Sequence, residues 1–388
     1  MATHALLSIL AITSSTLVAA QSPTTQALEP LASKHFTYPN IPYQVTGDQG
    51  GIRGPQFGFN LCNSTTENQQ SNCQTAFVNS IADFCMWSSD QPNDTVGESE
   101  AREVAWCTTP GHGTRVIPPG TITGAQWLYA KDYVQVVGFL DQSKVNLNPT
   151  DMGGELDPHG ADEQGNPLGG IVFTNAFGVN SQQFQSQVSS NNLAGSQTFT
   201  QVIEWIDFIG SGMFCLKMCN PDNPNAPQLC QHIYDEIGCT YNALANYGAI
   251  NGTFQVCDSD DMTPPGVFTQ NGQVTTWFQP QAGPVVPPYT PVIPSSSNCV
   301  TYASTQLWAA AATDTNIPKP TTSSSSSAAA ATGAGSGTTA RTTSGSTSSP
   351  TASSGSIPSV GGNGGTLPFI AVGLLTTLCT MMSMAFLA

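Results

Sequence analysis

The sequence predicts a mainly β, sandwich-like ectodomain stapled by disulfides, with a few short helices, followed by a disordered Ser/Thr-rich stalk. Three observations carry this expectation. Short runs of β-branched and aromatic residues recur between clusters of Gly, Pro, Asn and Asp, which is how strands and their turns read. Ten cysteines stand between two apolar termini, an even number of the kind a secretory route oxidises. A long tract of Ser, Thr, Ala and Gly then follows the last strand-like segment.

The termini come first. Residues 5 to 20, ALLSILAITSSTLVAA, form an uncharged apolar run ending on small residues, the pattern of a signal peptide cleaved after Ala20. Residues 21–34 form an N-terminal segment and 35–308 the disulfide-bonded globular ectodomain. Residues 309–365 form the stalk, whose tract from Pro320 has no large apolar residue before Ile357. Such a segment buries too little surface to offset its ordering entropy and, in a secreted chain, reads as O-glycosylated. Residues 366–388 include LPFIAVGLLTTLCTMMSMAFLA, 22 uncharged residues with small residues upstream and no basic flank. That combination predicts a glycosylphosphatidylinositol attachment signal, with Gly355, Ser356 and Asn363 as candidate attachment residues.

Within the core, strand character marks 114–117, 133–140, 170–174, 200–209, 212–219, 253–257, 274–278 and 299–304. Helical spacing of Phe77, Ile81, Phe84 and Cys85 predicts a helix in TAFVNSIADFCMW. Spacing of Leu229, Ile233, Tyr234 and Ile237, with Pro227 ahead and Gly238 behind, predicts another in PQLCQHIYDEIGC. The expected disulfide set is Cys62, Cys73, Cys85, Cys107, Cys215, Cys219, Cys230, Cys239, Cys257 and Cys299, with the overall pairing open. On a strand, Cys215 and Cys219 share a face about 13 Å apart. Each must therefore reach a different partner, and Cys230 and Cys239 are near enough in sequence to serve, stapling the helix to the sheet.

Seven basic residues face 25 acidic ones between Glu29 and Asp314, a net −18, which argues against nucleic acid as a partner. Asn63, Asn93 and Asn251 begin acceptor tripeptides for N-glycans and should lie at the surface. Neither a Gly-x-Ser-x-Gly elbow nor a His-Glu-x-x-His pair occurs, so serine-hydrolase and zinc-protease chemistry have no motif behind them. Cys215, Cys219, Cys230, His232 and Cys239 imitate zinc spacing. An oxidising compartment makes these cysteines disulfides and His232 a half-buried helix residue, so no cofactor is expected.

The candidate catalytic residues are Glu155, Asp157, His159 and Glu204, and the candidate metal ligands His112, Asp157 and His159. If 155–159 is extended, Glu155, Asp157 and His159 point the same way, as an acid/base or metal cluster requires. Glu204 is an acid on an otherwise apolar strand beside Trp205 and Phe208. His112 lies between glycines in a second loop that could meet the first. Against a site stand Pro158 and the glycines at 153, 154 and 160, which suit a hydrogen-bonded structural loop. Trp106, Trp127, Trp205 and Trp277 are candidates for a sugar-stacking platform, although aromatics on β segments are more often core.

At these residues the sequence resembles the basidiomycete macrophage-activating glycoproteins, or immunoreactive mannoproteins. The resemblance runs over about Phe36 to Leu307. It is carried by GPQFGFNLCNSTTENQQSNCQTAFVNSIADFCMW, EVAWCTTPGHGTRVIPPGTITGAQW, GGELDPHGADEQGNPLGG and FCLKMCNPDNPNAPQLCQHIYDEIGCTYNA, among others. It implies a secreted, mannosylated, wall-linked or lipid-anchored antigen. Its partners would be cell-wall polysaccharide or host lectin receptors reached through mannan glycans, and the membrane reached through the lipid anchor. No active site comes with the resemblance. The expected function is a non-enzymatic surface mannoprotein; the alternative is a carbohydrate-binding or glycan-modifying wall domain.

Overall fold

A computed structural model describes residues 28–47 and 51–313. The signal segment, the stalk from residue 314 onward and the apolar tail with its attachment candidates lie outside the described residues. Within them the chain is mainly β, as expected, with three sheets and all ten cysteines paired.

Fifteen strands follow in chain order. β1 (Thr75–Ser80), β2 (Asp83–Ser88), β3 (Val104–Cys107), β4 (Arg115–Val116), β5 (Ile122–Tyr129), β6 (Tyr133–Leu140), β7 (Gly154–Leu156) and β8 (Ile171–Thr174) make up the first half. β9 (Thr200–Val202), β10 (Trp205–Gly210), β11 (Met213–Cys219), β12 (Phe254–Ser259), β13 (Val267–Gln270), β14 (Gln273–Thr276) and β15 (Ser296–Tyr302) complete the set. A six-stranded sheet runs β4-β3-β2-β1-β8-β9 and a seven-stranded sheet β15-β12-β5-β6-β11-β10-β7, with β13-β14 as a separate hairpin.

The two large sheets share one core. Phe84 of β2 stacks on Phe214 of β11 with centroids 5.8 Å apart, Trp87 meets Trp205 at 6.0 Å, and the Asp207 carboxylate accepts the Trp87 backbone N–H at 2.8 Å. Side-chain alternation assigns the faces. Trp205 and Ile209 of β10, with Phe214, Leu216 and Met218 of β11, point inward to that core. Ile206, Phe208, Cys215 and Cys219 point outward into a second apolar cluster with Leu229, Ala243, Leu244 and Ile250. The middle strands of the seven-stranded sheet are thus buried on both sides, their outer face capped by residues 220–250 together with Met262.

Disulfides hold this cap. Cys215 joins Cys239 and Cys219 joins Cys230, so the two strand cysteines reach different partners as their spacing demands. The continuous helix expected over 227–239 does not form; the segment breaks into Ala226–Leu229, a 3-10 turn at Asp235–Ile237, and Cys239–Asn242. Nine residues at about 100° each would set Cys230 and Cys239 on opposite sides of an α-helix, yet both must face the same strand. Interrupting the helix also leaves backbone carbonyls of Leu229 and Asn242 free to accept from the buried Lys217 ammonium.

The other expected helix is corrected outright. Residues 75–88 form the β1-β2 hairpin, every residue of both strands buried. With both faces covered, apolar residues occupy consecutive positions, and a spacing of three and four arises without a helix. Cys85 lies directly across from Cys107 in the β2-β3 ladder and is bonded to it. The helix at Ser181–Ser189, closed by a capping box between Asn180 and Gln183, was not among the sequence expectations. Beyond the last strand, Ala309–Thr313 forms a short helix whose Ala311 packs on Val116.

Candidate functional site

The β7 edge of the seven-stranded sheet gathers most of the candidate residues. β7 and β10 pair antiparallel with Leu156 opposite Asp207 and Glu155 opposite Phe208. Past that ladder Asp157 bridges to Asn166, and His159 meets Glu204 through its side chain. The extended stretch stops short of the full 155–159: the strand ends at Leu156 and the chain bends at Pro158, so Glu155 and Asp157 line the groove while His159 lies past the bend. The run of strand 200–209 breaks at Ile203 and Glu204, between β9 and β10, which leaves Glu204 at the strand's start.

Much of the 153–170 loop is architecture. The Asp157 carboxylate accepts from the N–H groups of His159 at 2.7 Å and Gly160 at 2.9 Å, the local capping typical of Asp in turns. Its backbone bridges to Asn166. Arg53 ties the loop down through Asp162 at 2.5 Å, the Gly165 carbonyl at 2.8 Å, and the Asn166 side chain. Gly153 sits at φ +88°, where a Cβ would come 2.0 Å from the Ile209 carbonyl.

His159 extends beyond this scaffold. Its Nε2 lies 3.0 Å from a Glu204 carboxylate oxygen, and its ring stacks on His232 of the cap with centroids 3.7 Å apart and planes 20° apart. One ligating atom from each of His159, Glu204 and His232 lies within 4.8 Å of the others. Burial opposes charge on His159, but the Glu204 hydrogen bond and the negative charges of Glu204, Asp157 and Glu163 raise its pKa overall. His232 moves down, by burial first and then by the neighbouring His159, with Asp157, Glu204 and Glu163 opposing. The pair thus favours one proton, held on His159.

His232 also lines an open groove of about 780 Å³ together with Glu100, Glu155, Asp157, Phe208, Asp235 and Glu236, among others. Glu155 is 7% exposed, and neither carboxylate oxygen has a hydrogen-bond partner. Burial raises its pKa well above the carboxylate range, Asp157 and Asp235 push the same way, and Lys217 opposes them. Lys217 is itself pulled down to about 7 by burial, with Glu155 opposing. A carboxyl kept protonated by burial is the pattern that lets an acid donate a proton at neutral pH. Glu100, also raised by burial, was not singled out in the sequence.

His112 takes no part in this cluster. Its Nε2 contacts Asp83 at 2.6 Å and its ring stacks on Phe77 at 4.3 Å. Burial lowers its pKa while Asp83 and Glu67 raise it, with a net rise. The two histidine loops therefore have separate carboxylate partners. Of the tryptophans, Trp106, Trp127 and Trp205 are core residues with 3%, 0% and 1% exposure. Trp277 is half-buried and stacks on Tyr234, so these four do not make a stacking platform.

His232 is the residue sequence reasoning set aside. Its place follows from two links that only the fold supplies. Cys230 is bonded to Cys219, and the Cys219 backbone N–H bonds to the Glu204 carbonyl. A histidine two residues after Cys230 is thereby delivered to Glu204.

Fold and site together define a class: a disulfide-complete β sandwich whose capped outer face carries an acid-lined groove and a histidine–carboxylate cluster. The chain belongs to the family of the appressorium proteins ROW1 and ROW2 of Mycosarcoma maydis, so the fungal relationship implied by the resemblance holds. It is 38% identical to ROW2 over 256 residues, covering 65% of this chain and 79% of ROW2. It is 41% identical to ROW1 over 272 residues, covering 68% of this chain but 58% of ROW1. The match thus takes in little more than half of ROW1. No family model matches the chain, and no solved structure does. Among the described residues no helix is long and apolar enough to cross a membrane.

Proposed function

We propose that this chain is a secreted, glycosylphosphatidylinositol-anchored mannoprotein of the fungal cell surface and wall, working by display of its domain and glycans without catalysis. The observation that carries this reading is that the acceptor asparagines Asn63, Asn93 and Asn251 are all exposed on a domain whose ten cysteines are all paired. Exposed acceptors and complete disulfides suit passage through the secretory route. The relatives' description as appressorium proteins agrees with a place at the fungal surface. Wall polysaccharide, host lectins that recognise mannan, and the membrane through its lipid are the partners this reading names; nucleic acid is not among them.

The test expresses the full chain in a fungal host. Release from intact cells by a phosphatidylinositol-specific phospholipase, with a mobility shift on N-glycan removal that Asn63→Gln, Asn93→Gln and Asn251→Gln abolish together, supports the reading. Retention after lipase treatment, or a chain without N-glycans, overturns the corresponding part of it.

The groove favours a second reading, a glycan-binding or glycan-modifying wall domain, because Glu155 is a buried, unpartnered acid among other carboxylates. Glycoside cleavage needs one carboxyl kept protonated and another ionised nearby. Incubating wild type and Glu155→Gln with chitin, β-glucan and mannan separates the cases. Sugar release by wild type alone would make the groove catalytic. Co-sedimentation without release would make it a binding site. Neither result would leave display as the function.

A further inference from the structure

We propose that His159, His232 and Glu204 form a binding site for a transition-metal dication of the zinc type, at the end of the acid-lined groove. Two imidazole nitrogens and one carboxylate oxygen are a donor set that zinc accepts, with a fourth position left to water or an outside ligand. One such atom from each residue already lies within 4.8 Å of the other two.

Each donor is positioned by a separate part of the scaffold. His159 follows the Asp157 turn that Arg53 anchors through Asp162 and Asn166. Glu204 is held by the backbone bond from Cys219. His232 follows Cys230, whose disulfide ends on that same Cys219. Three segments distant in sequence thus converge through a turn, a backbone hydrogen bond and a covalent bridge.

Metal-free, the arrangement is poorly matched to itself. Two imidazoles lie face to face beside the Glu204 carboxylate, which is 3.0 Å from His159 Nε2, in the negative field of Asp157 and Glu163. A dication would neutralise that field and engage both rings. A metal binds in the plane of each imidazole, so two rings stacked at 20° cannot both reach it as they stand. His232 is the exposed member of the three, and its side chain is the one free to turn out of the stack.

The experiment uses the purified full chain, produced without a polyhistidine tag and stripped with chelator. Zinc chloride is titrated calorimetrically at pH 7, and bound metal is counted after dialysis. The expected result is one zinc per chain, with affinity lowered by about tenfold or more in both His232→Ala and Glu204→Gln. His232 is exposed, so its variant keeps the apo melting temperature and a folding defect does not explain its loss. No saturable uptake by wild type would overturn the proposal. So would uptake that His232→Ala reduces by less than about tenfold.

Discussion

Asp207 lies on β10 between the two large sheets, fully buried, with one carboxylate oxygen accepting from the Trp87 N–H and the other unpartnered. Burial raises its pKa from 3.8 to about 8, against the opposing Trp87 bond. The unfolded chain therefore releases this proton near pH 4, whereas the folded chain keeps it to about pH 8. The stabilising contribution is full below pH 4 and is lost as pH rises through that window. At about 1.4 kcal/mol per unit the whole window amounts to about 6 kcal/mol. Asp207→Asn removes the titration while keeping an acceptor for Trp87. Urea unfolding of both proteins, disulfides intact, at pH 4.5, 6.0 and 7.5 is the assay. The variant's stability relative to wild type should rise by about 4 kcal/mol from the first pH to the last. A difference that stays constant with pH would refute the reasoning. Glu103, buried beside Ser99 with one unpartnered oxygen, is raised chiefly by burial and further by the Asp207 charge, so the variant also weakens the Glu103 slope and the difference widens in the same direction.

Three further outcomes follow from packing and chain geometry. Replacing Cys257 and Cys299 by Ser opens a bridge with a sequence separation of 42 and should cost about 4 kcal/mol, against about 3 kcal/mol for Cys62 and Cys73, separated by 11. Denaturant midpoints of the two double variants check that order. Phe214→Ala empties a fully buried position stacked on Phe84 and should lower stability by about 3–5 kcal/mol, measured by thermal or urea unfolding. Gly153→Ala combines a positive φ with a Cβ 2.0 Å from the Ile209 carbonyl. The yield of folded protein should collapse, because the β7-β10 pairing cannot close.

Where only local pattern was needed, the sequence was legible. YVQVVGFL and GMFCLKMC appear as β6 and β11 within a residue, because β-branched and sulfur-bearing residues fit a sheet whichever face they meet. The pairing of Cys215 and Cys219 with separate partners followed from strand rise alone. Burial on both faces defeated the reading of 75–87, since it erases the alternation that separates strand from helix. The Cys230 to Cys239 segment failed for another reason: its apolar spacing is helical, but its two bridges require one direction where a helix offers two. Within the candidate site, the shared groove of Glu155 and Asp157 agrees with period two, and the loop's hydrogen-bonded turn with its glycines and prolines. The meeting of His159 with Glu204 and His232 was not legible, because it joins side chains 45 residues apart and depends on the Cys219–Cys230 disulfide to bring His232 alongside.

β15 is the outermost strand of the seven-stranded sheet, largely exposed, and the described chain ends soon after it. A pull applied at Thr313 loads first the segment after β15, where Ala311 packs on Val116 and the Trp308 indole N–H donates to the Ile81 carbonyl, and then β15. Its hydrogen bonds to the antiparallel β12 would then be loaded together, in shear. The Cys257–Cys299 bridge ties those same two strands, so once the ladder gives way, force passes through sulfur into β12 and the strands beyond it. The edge strand can be tugged without being peeled off, because the bridge still joins it to β12 after the ladder has opened.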